Sequence, residues 1–256
     1  MIDPALAQPY LEGHPWPLLF VTVSGAHLYG FPSADSDYDL RGAHITPVRE
    51  MARLSPPRAT HEVMDAGCAV EMDLVTHDVH KFFRMLLNRN GYVLEQIFSP
   101  LVVLATPEFE ELKAIAPRCL TRHHRHHFRS FAQNQWDRVM GAAGPTVKGL
   151  LYTYRPLMAG IYLMEEKRVE SNLRTLNERF GFSFVDDLIA AKVAGAEKQA
   201  APPLDMDFHR QQFDRLAARL EDAAERSGLP EQPVARAELD DLLVRLRMAT
   251  ITRKGA

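Results

Sequence analysis

The sequence contains little cysteine and no long apolar segment. Cys68 and Cys119 are the only cysteines among its 256 residues, and they lie far apart in the chain. Secreted domains that depend on disulfides carry more cysteines at closer spacing, so this count favours a reducing compartment, with the cytoplasm as the expected location. No apolar run is long enough to cross a bilayer, and no signal-peptide pattern is present. We therefore expect no membrane partner.

An excess of charge of either sign is also missing. The formal net charge is -3 and the pI is near 6.4, which excludes a protein that coats nucleic acid through overall positive charge. A local basic groove is compatible with these values. With 46% hydrophobic and 25% charged residues, the composition is typical of a soluble globular protein rather than of a disordered chain.

Hydrophobic patterning predicts a mixed first part of the chain. Short apolar or alternating segments indicate strands at Pro15–Val23, from Asp39 to about Thr46, at Ala69–Thr76 and at Leu101–Leu104. Asp78 is a capping residue followed by an apolar stripe, which predicts a helix to about Arg89, and a shorter helix follows at Gly91–Phe98. The segment 47–59, which contains Pro56 and Pro57, is predicted to be a loop.

The second part of the chain is predicted to be helical throughout. Candidate helices run over residues 107–116, 120–139, 146–167, 171–180, 184–195, 205–227 and 236–248. The patterning therefore predicts an α/β (α+β) first part with both strands and helices, followed by an all-helical C-terminal domain. We place the two domains at residues 1–105 and 106–256, with the boundary somewhere in 105–145.

One stretch, Ser24–Gly42, combines a flexible turn with two acidic residues. Ser24-Gly25 leaves an apolar strand, and Asp37 and Asp39 follow at the start of the next one. Ser24 and Gly25 offer a hydroxyl and unhindered backbone N–H groups to phosphate oxygens. Side chains alternate along a strand, so Asp37 and Asp39 are predicted to share one face, where a divalent cation would allow both to stay ionised.

A second acidic strand supplies a third carboxylate. Glu71 and Asp73 share a face of the predicted strand Ala69–Thr76. A carboxylate there completes a metal site or activates an attacking hydroxyl in phosphoryl and nucleotidyl transfer. Both residues fit this position, and Asp73 is our candidate.

This order of motifs resembles the DNA polymerase beta superfamily of nucleotidyltransferases. The similarity is greatest to its bacterial and phage branch associated with RNA repair, through Ser36-Asp37-Tyr38-Asp39-Leu40-Arg41-Gly42 and the later residues Lys81, Phe82, Phe83, Arg84, Asn90, Leu94 and Glu95. Ser24-Gly25 departs from the superfamily, which usually has Gly-Ser at this place. The resemblance covers residues 20–100 and extends more weakly to Lys148, Tyr152 and Arg155.

The resemblance implies an activity and roles for individual residues. It implies a nucleotidyltransferase-like mixed sheet with flanking helices, followed by an all-helical C-terminal domain. It also implies transfer of a nucleoside monophosphate from an NTP to a hydroxyl-type acceptor, with Mg²⁺ or Mn²⁺ as cofactor. Asp37 and Asp39 are then metal ligands, and Asp73 is a metal ligand or a general base. The implied nucleotide-binding residues are Ser24, Gly25, Ser36, Arg41, Lys148, Tyr152 and Arg155. The acceptor is open, and RNA is favoured through the resemblance alone.

Several residues have more than one interpretation. Arg41 either pairs with the neighbouring aspartates or reaches a phosphate. Lys148, Tyr152 and Arg155 share one helical face, which suits triphosphate and base binding or a helix that crosses the core. The run His123–His127 suits a zinc ladder with Cys119, a basic face towards a polynucleotide, or neither.

Two other functions are consistent with the same sequence. A catalytically quiet nucleotide-binding or regulatory protein would keep the fold without the chemistry. An antitoxin or scaffold would use the helical part to bind a protein. The sequence leaves the NTP and the oligomeric state open.

Overall fold

The chain folds into two compact units that are not consecutive in sequence. The computed structural model describes residues 4–65, 71–141, 144–195 and 204–252. The sheet unit contains the chain up to Gly25, Asp37–Cys119 and the segment from Gln232 onward, and the helical unit contains Ala26–Ser36 and Leu120–Glu231. The sequence prediction instead divides the chain once, near residue 105. Cys68 and the start of the strand predicted at Ala69–Thr76 lie outside the described residues.

The described elements include five strands and twelve α-helices. The strands are β1 (Leu18–Val23), β2 (Tyr38–His44), β3 (Thr60–Asp65), β4 (Met72–Asp78) and β5 (Val102–Ala105). The first six helices are α1 (Pro4–Glu12), α2 (Gly25–Tyr29), α3 (Val48–Met51), α4 (Val79–Leu87), α5 (Gly91–Ile97) and α6 (Pro107–Ile115). A 3-10 turn at Ala116–Cys119 precedes α7 (His124–Val139), α8 (Val147–Glu166), α9 (Leu173–Phe180), α10 (Ser183–Ala194), α11 (Met206–Arg226) and α12 (Arg236–Thr252).

The five strands form one mixed sheet in the order β3-β4-β2-β1-β5. Strands β2 and β4 run parallel, whereas the other neighbouring pairs are antiparallel. Within the parallel pair Asp39 lies opposite Asp73. The predicted mixed sheet with flanking helices is confirmed, and so is the helical second part of the chain.

The two faces of the sheet are buried by different elements. On one face Val21, Val23, Leu40, Met72 and Leu74 form a cluster that includes Ala7 of α1. On the other face the ring of Phe20 stacks on Phe109 of α6 at 4.2 Å between centroids and meets Phe82 of α4 edge-on at 5.4 Å. Strand alternation places Asp39 and Arg41 on this second face, because Leu40 belongs to the first.

Asp78 caps α4, as the sequence predicts. Its carboxylate accepts a hydrogen bond from the backbone N–H of His80, and Val79, Phe82, Phe83 and Leu86 form the buried stripe of the helix. The same carboxylate also accepts hydrogen bonds from Thr46 N and from Nη2 of Arg247 in α12. The last helix is therefore attached to the sheet unit.

Three local predictions need correction. The segment predicted as a loop at 47–59 contains the short helix α3, and the turn-rich segment after Ser24 begins with the short helix α2. Strand β3 was not predicted, because Thr-His-Glu-Val-Met-Asp carries few apolar residues; its pairing with β4 defines it. Among the described residues, every helix is too short or too polar to span a bilayer.

Candidate catalytic site

Two acidic residues face each other at the start of the parallel strand pair. Asp39 on β2 and Asp73 on β4 are in register, and their side chains are about one-fifth exposed. Asp37 lies one residue before β2, which begins at Tyr38. The structure thus brings Asp39 and Asp73 together on neighbouring strands, and Asp37 precedes Asp39 by two residues in the chain.

Arg41 joins the two carboxylates. Its Nη2 atom donates to Asp39 Oδ1 at 2.6 Å and to Asp73 Oδ2 at 2.7 Å. Its Nη1 atom donates to the carbonyl oxygens of Leu40 and Asp73, and its Nε atom donates to the hydroxyl of Tyr92. Of the two interpretations of Arg41, the structure therefore contains the ion pair with the aspartates. A contact between Arg41 and a nucleotide stays a prediction.

These contacts keep Arg41 charged although it is largely buried. Burial by itself would lower the pKa of Arg41, but Tyr92 and the carboxylates of Asp39 and Asp73 outweigh it and raise that pKa. Burial raises the pKa of Tyr92, so its phenol stays protonated. Tyr92 was missed in the sequence, because its distance from Arg41 in the chain gives no local signal.

Gly25 fits closely against Asp39. Its φ of +60° is left-handed, and an added Cβ would lie 1.8 Å from Oδ2 of Asp39. The preceding N–H of Ser24 donates to the backbone carbonyl of Asp39 at 2.7 Å. Only glycine allows the chain to pass the carboxylate this closely. The close contact with Asp39 therefore explains why residue 25 is a glycine, independently of any phosphate binding.

We expect Gly25→Ala to displace Asp39 and to lower any activity of the site by about 100-fold, since a misplacement of roughly 1 Å has that effect in catalytic sites. Gly181→Ala is the matched control: its φ is +68°, yet nothing lies within 4 Å of an added Cβ. Activity and urea-denaturation curves of both variants separate the clash from the backbone strain. Equal effects of the two substitutions would contradict the steric role of Gly25.

The predicted nucleotide-binding residues of the second part form a cluster with Tyr29, the last residue of α2, and Phe31, which follows that helix. The guanidinium of Arg155 lies 3.7 Å from the ring centroid of Tyr29, and the ring of Tyr152 meets Tyr29 and Phe31 edge-on. Nζ of Lys148 lies 5.8 Å from the centroid of Tyr152. All of these residues belong to the helical unit. Arg155 is buried, whereas Lys148 and Tyr152 are half-buried.

Ser24 and Ser36, the two serines predicted to bind nucleotide, are both buried. Ser36 Oγ accepts a hydrogen bond from Ser33 N at 3.0 Å, and Nζ of the buried Lys192 donates to Ser33 Oγ at 2.6 Å. Lys192 was missed in the sequence, since α10 shows no motif around it. The segment that precedes Asp37 is therefore held by a cation of the helical unit.

Glu71, the alternative to Asp73 as the third carboxylate, has different surroundings from Asp73. Glu71 is exposed and lies just before β4, where its carbonyl accepts a hydrogen bond from Tyr38 N.

The zinc ladder requires Cys119, His123 and His127 on one helix, but Cys119 ends a 3-10 turn and α7 begins only at His124. Burial lowers the pKa of His127 to about 4 and raises that of the Cys119 thiol to about 12. The ladder is not formed.

The acidic residues of the site have the ligand chemistry of a divalent cation, but their arrangement limits where one could bind. Within the described residues, no set of three or more His, Cys, Asp or Glu side chains is arranged to hold a metal ion. Arg41 stands between Asp39 and Asp73, and its bonds use Oδ1 of Asp39 and Oδ2 of Asp73. Oδ2 of Asp39, which faces Gly25, takes no part in that ion pair. Carboxylate oxygens such as those of Asp37 and Asp39 are the ligands that hard cations take, and a metal ion at these two residues stays a prediction.

A protein-family model described as "RlaP: RNA repair pathway DNA polymerase beta family" matches residues 5–245. The chain belongs to this family. The resemblance found in the sequence is thereby confirmed over most of the chain, and it places the protein among polymerase beta-like nucleotidyltransferases. The in-register aspartates, Arg41 and Gly25 are thus features of a member of the RNA repair pathway DNA polymerase beta family.

Two individual proteins are similar to this family member. "Uncharacterized protein MJ0002" of Methanocaldococcus jannaschii is 26% identical over 226 residues, which cover 86% of this chain and 90% of the relative. A solved structure of a nucleotidyltransferase-like protein from Exiguobacterium sibiricum gives a TM-score of 0.33 at 10% identity, with 86% of this chain and 72% of that chain covered. A TM-score this low supports no conclusion about the shared fold.

Proposed function

We propose that the protein is a metal-dependent nucleotidyltransferase that moves a nucleoside monophosphate from an NTP to a hydroxyl group of an acceptor. The observation that carries the proposal is the in-register pair of Asp39 and Asp73 on parallel strands, in a chain of the polymerase beta family. Carboxylates placed in this way bind divalent cations and act on hydroxyl nucleophiles.

In the proposed reaction the acceptor hydroxyl attacks the α-phosphorus of the NTP. The bond from that phosphorus to the bridging oxygen of the β-phosphate breaks, and pyrophosphate leaves. Asp73 accepts the proton of the hydroxyl, and Asp37 and Asp39 would hold Mg²⁺ or Mn²⁺. When bound, such an ion neutralises phosphate oxygens and orients the α-phosphate.

Residues of α8 are proposed to contact the base and the triphosphate. The cation and the aromatic ring of Lys148 and Tyr152 lie together on one face of α8, a combination that suits phosphate neutralisation and base stacking. Arg155 is buried on Tyr29, so it serves this region by fixing Tyr29. Ser24, Ser36 and Arg41 are proposed as further contacts to the nucleotide.

RNA is the proposed acceptor, because the family is described by an RNA repair pathway. The net charge of -3 requires that an RNA strand meets local basic residues rather than a uniformly basic surface. A cytoplasmic location agrees with such a substrate.

The proposal is tested by incubating the full chain with each of the four α-³²P NTPs, Mg²⁺ or Mn²⁺, and an RNA oligonucleotide. The expected result is a labelled RNA that forms only with metal and is absent for Asp37→Ala. A protein acceptor and a small hydroxyl compound are tested in parallel, and label on either would retain the transferase and replace the acceptor. Binding of an NTP without any transfer would identify a catalytically quiet nucleotide-binding protein instead.

A further inference from the structure

Helices α4 and α12 of the sheet unit run antiparallel and enclose a groove. Asp78 at the start of α4 is bonded to Arg247 near the end of α12. Arg89, just after α4, donates from Nη2 to Oε1 of Gln232, just before α12, at 3.4 Å. The groove between the two helices has a volume of about 280 Å³. It belongs to the same unit as the candidate catalytic site.

The groove carries an excess of positive charge. Arg84 of α4 and Arg236 of α12 line it from the two helices, and His80 adds a side chain with a ring nitrogen. These three residues are exposed. In the part of the chain that the structure describes, no acidic residue forms an ion pair with either arginine, although Asp240 also lines the groove. Two cations without a counterion on one groove favour the binding of an anion.

The size and the apolar lining of the groove indicate which anion fits. Phe83 is buried, and Leu87 and Leu243 are half-buried in the lining. The volume is below the range of roughly 300–1,000 Å³ that encloses whole small ligands. The groove therefore suits a chain of phosphates that passes along it better than a single enclosed nucleotide. Single-stranded nucleic acids are bound in this way, by basic grooves that follow the backbone.

The groove also begins close to the candidate catalytic site. Leu87, the last residue of α4, lines the groove, and Tyr92 follows five positions later. Five residues span at most about 18 Å, and the hydroxyl of Tyr92 accepts a hydrogen bond from Arg41, which joins Asp39 and Asp73. An RNA strand in the groove therefore has its reacting end within a few nucleotides of the carboxylates.

We propose that the groove between α4 and α12 binds the phosphate backbone of the RNA acceptor. The inference rests on the proposed function and gives its acceptor a place on the protein. Arg84 and Arg236 neutralise phosphates of the strand, and the negative charge of Asp240 opposes its binding.

Equilibrium binding of a fluorescently labelled single-stranded RNA to the full chain tests the inference without a measurement of transfer. Arg84→Gln and Arg236→Gln are each expected to weaken binding roughly tenfold, the loss of one charged hydrogen bond. Each substitution is also expected to reduce the slope of log K against log salt concentration by about 0.7, the value for one phosphate contact of a single strand. Asp240→Asn is expected to tighten binding, because it removes the negative charge from the groove.

Arg245→Gln is the matched control. It removes the same charge from α12, but Arg245 pairs with Glu111 and Asp241 and does not line the groove. We expect it to leave the affinity for RNA within about twofold, since exposed charges far from a ligand contribute little. NTP binding is measured for every variant and is expected to stay unchanged, and thermal denaturation verifies that each variant is folded.

The outcomes separate the groove from the reaction. Unchanged RNA affinity in Arg84→Gln and Arg236→Gln, or an equal loss in Arg245→Gln, would overturn the inference and leave the proposed function standing. Weaker NTP binding in place of weaker RNA binding would assign the groove to a free triphosphate and would overturn it too. RNA binding that depends on both arginines, without transfer of label from any NTP, would support the groove and overturn the proposed function.

Discussion

Asp39→Asn is expected to lower the rate of nucleotidyl transfer by at least about 1,000-fold, which corresponds to roughly 4 kcal/mol of activation free energy. Asparagine keeps the size of the side chain and still accepts a hydrogen bond from Arg41, but it removes the negative charge that we propose holds the cation. Because Oδ1 is the atom bonded to Arg41, the amide nitrogen is expected to take the position of Oδ2. Initial rates at saturating NTP measure the effect.

A second pair of substitutions, Asp73→Asn and its matched control Glu71→Gln, distinguishes the two candidates for the third carboxylate. Glu71 and Asp73 are two residues apart, but Glu71 is exposed, whereas Asp73 is bonded to Arg41. We expect Asp73→Asn to reduce transfer at least 100-fold and Glu71→Gln to leave it within about twofold, because Asp73 is the proposed general base and Glu71 is a solvated charge. If Glu71→Gln were the more harmful of the two, Glu71 would be the third carboxylate and Asp73 a structural partner of Arg41.

Arg247→Met is expected to lower the free energy of unfolding by about 3–5 kcal/mol, the range for removal of one partner from a buried ion pair. Nη2 of Arg247 donates to Asp78 Oδ1 at 2.5 Å, and its Nη1 donates to the carbonyl of Thr46. The side chains of Arg247 and Asp78 are 11% and 7% exposed. Without Arg247, a buried carboxylate loses its counterion, and α12 loses its polar attachment to the sheet.

The pKa of Asp78 determines how the stability contributed by this ion pair changes in acid. Burial would raise the pKa of Asp78, but hydrogen bonds from Arg247 and Thr46 together hold it below its ordinary value. The stability contributed by this carboxylate is therefore present above its unfolded pKa and is lost as the pH falls through the folded value. Urea titrations at neutral and acidic pH measure both effects.

Arg245→Met provides the comparison within the same helix. Arg245 pairs with Glu111 and Asp241 at the surface, and exposed ion pairs contribute little. No measurable change in the denaturation midpoint is expected for Arg245→Met. Similar losses for both variants would show that α12 is held by its surface charges rather than by the buried pair.

The sequence predicted the elements whose signals are local. The apolar stripe after Asp78 and the cap itself are short-range patterns, and both are present in α4. The helices of the second part were predicted for the same reason, because caps, turns and breaks lie within a few residues of each end. The order Ser-Gly, Asp-x-Asp and a second acidic strand was also local enough to indicate the family.

The contacts that complete the site span the chain, and no local pattern indicates them. Arg41 meets Tyr92 and Asp73, and Asp78 meets Arg247, across 51, 32 and 169 positions. A basic residue beside two aspartates suits either an ion pair or a phosphate contact, so its sequence neighbourhood did not decide the role of Arg41. Assignment of α12 to the sheet unit depends on a buried ion pair that only tertiary structure forms.

The most direct test of the account is the fate of the two ends of the triphosphate. The full chain is given RNA, metal and the same NTP labelled in parallel at the α-phosphate or at the γ-phosphate. We predict that the α label enters the RNA while the γ label is released as pyrophosphate, and that Asp39→Asn abolishes both. Transfer of the γ label to the RNA, or a rate unaffected by Asp39→Asn, would contradict nucleotidyl transfer at this site.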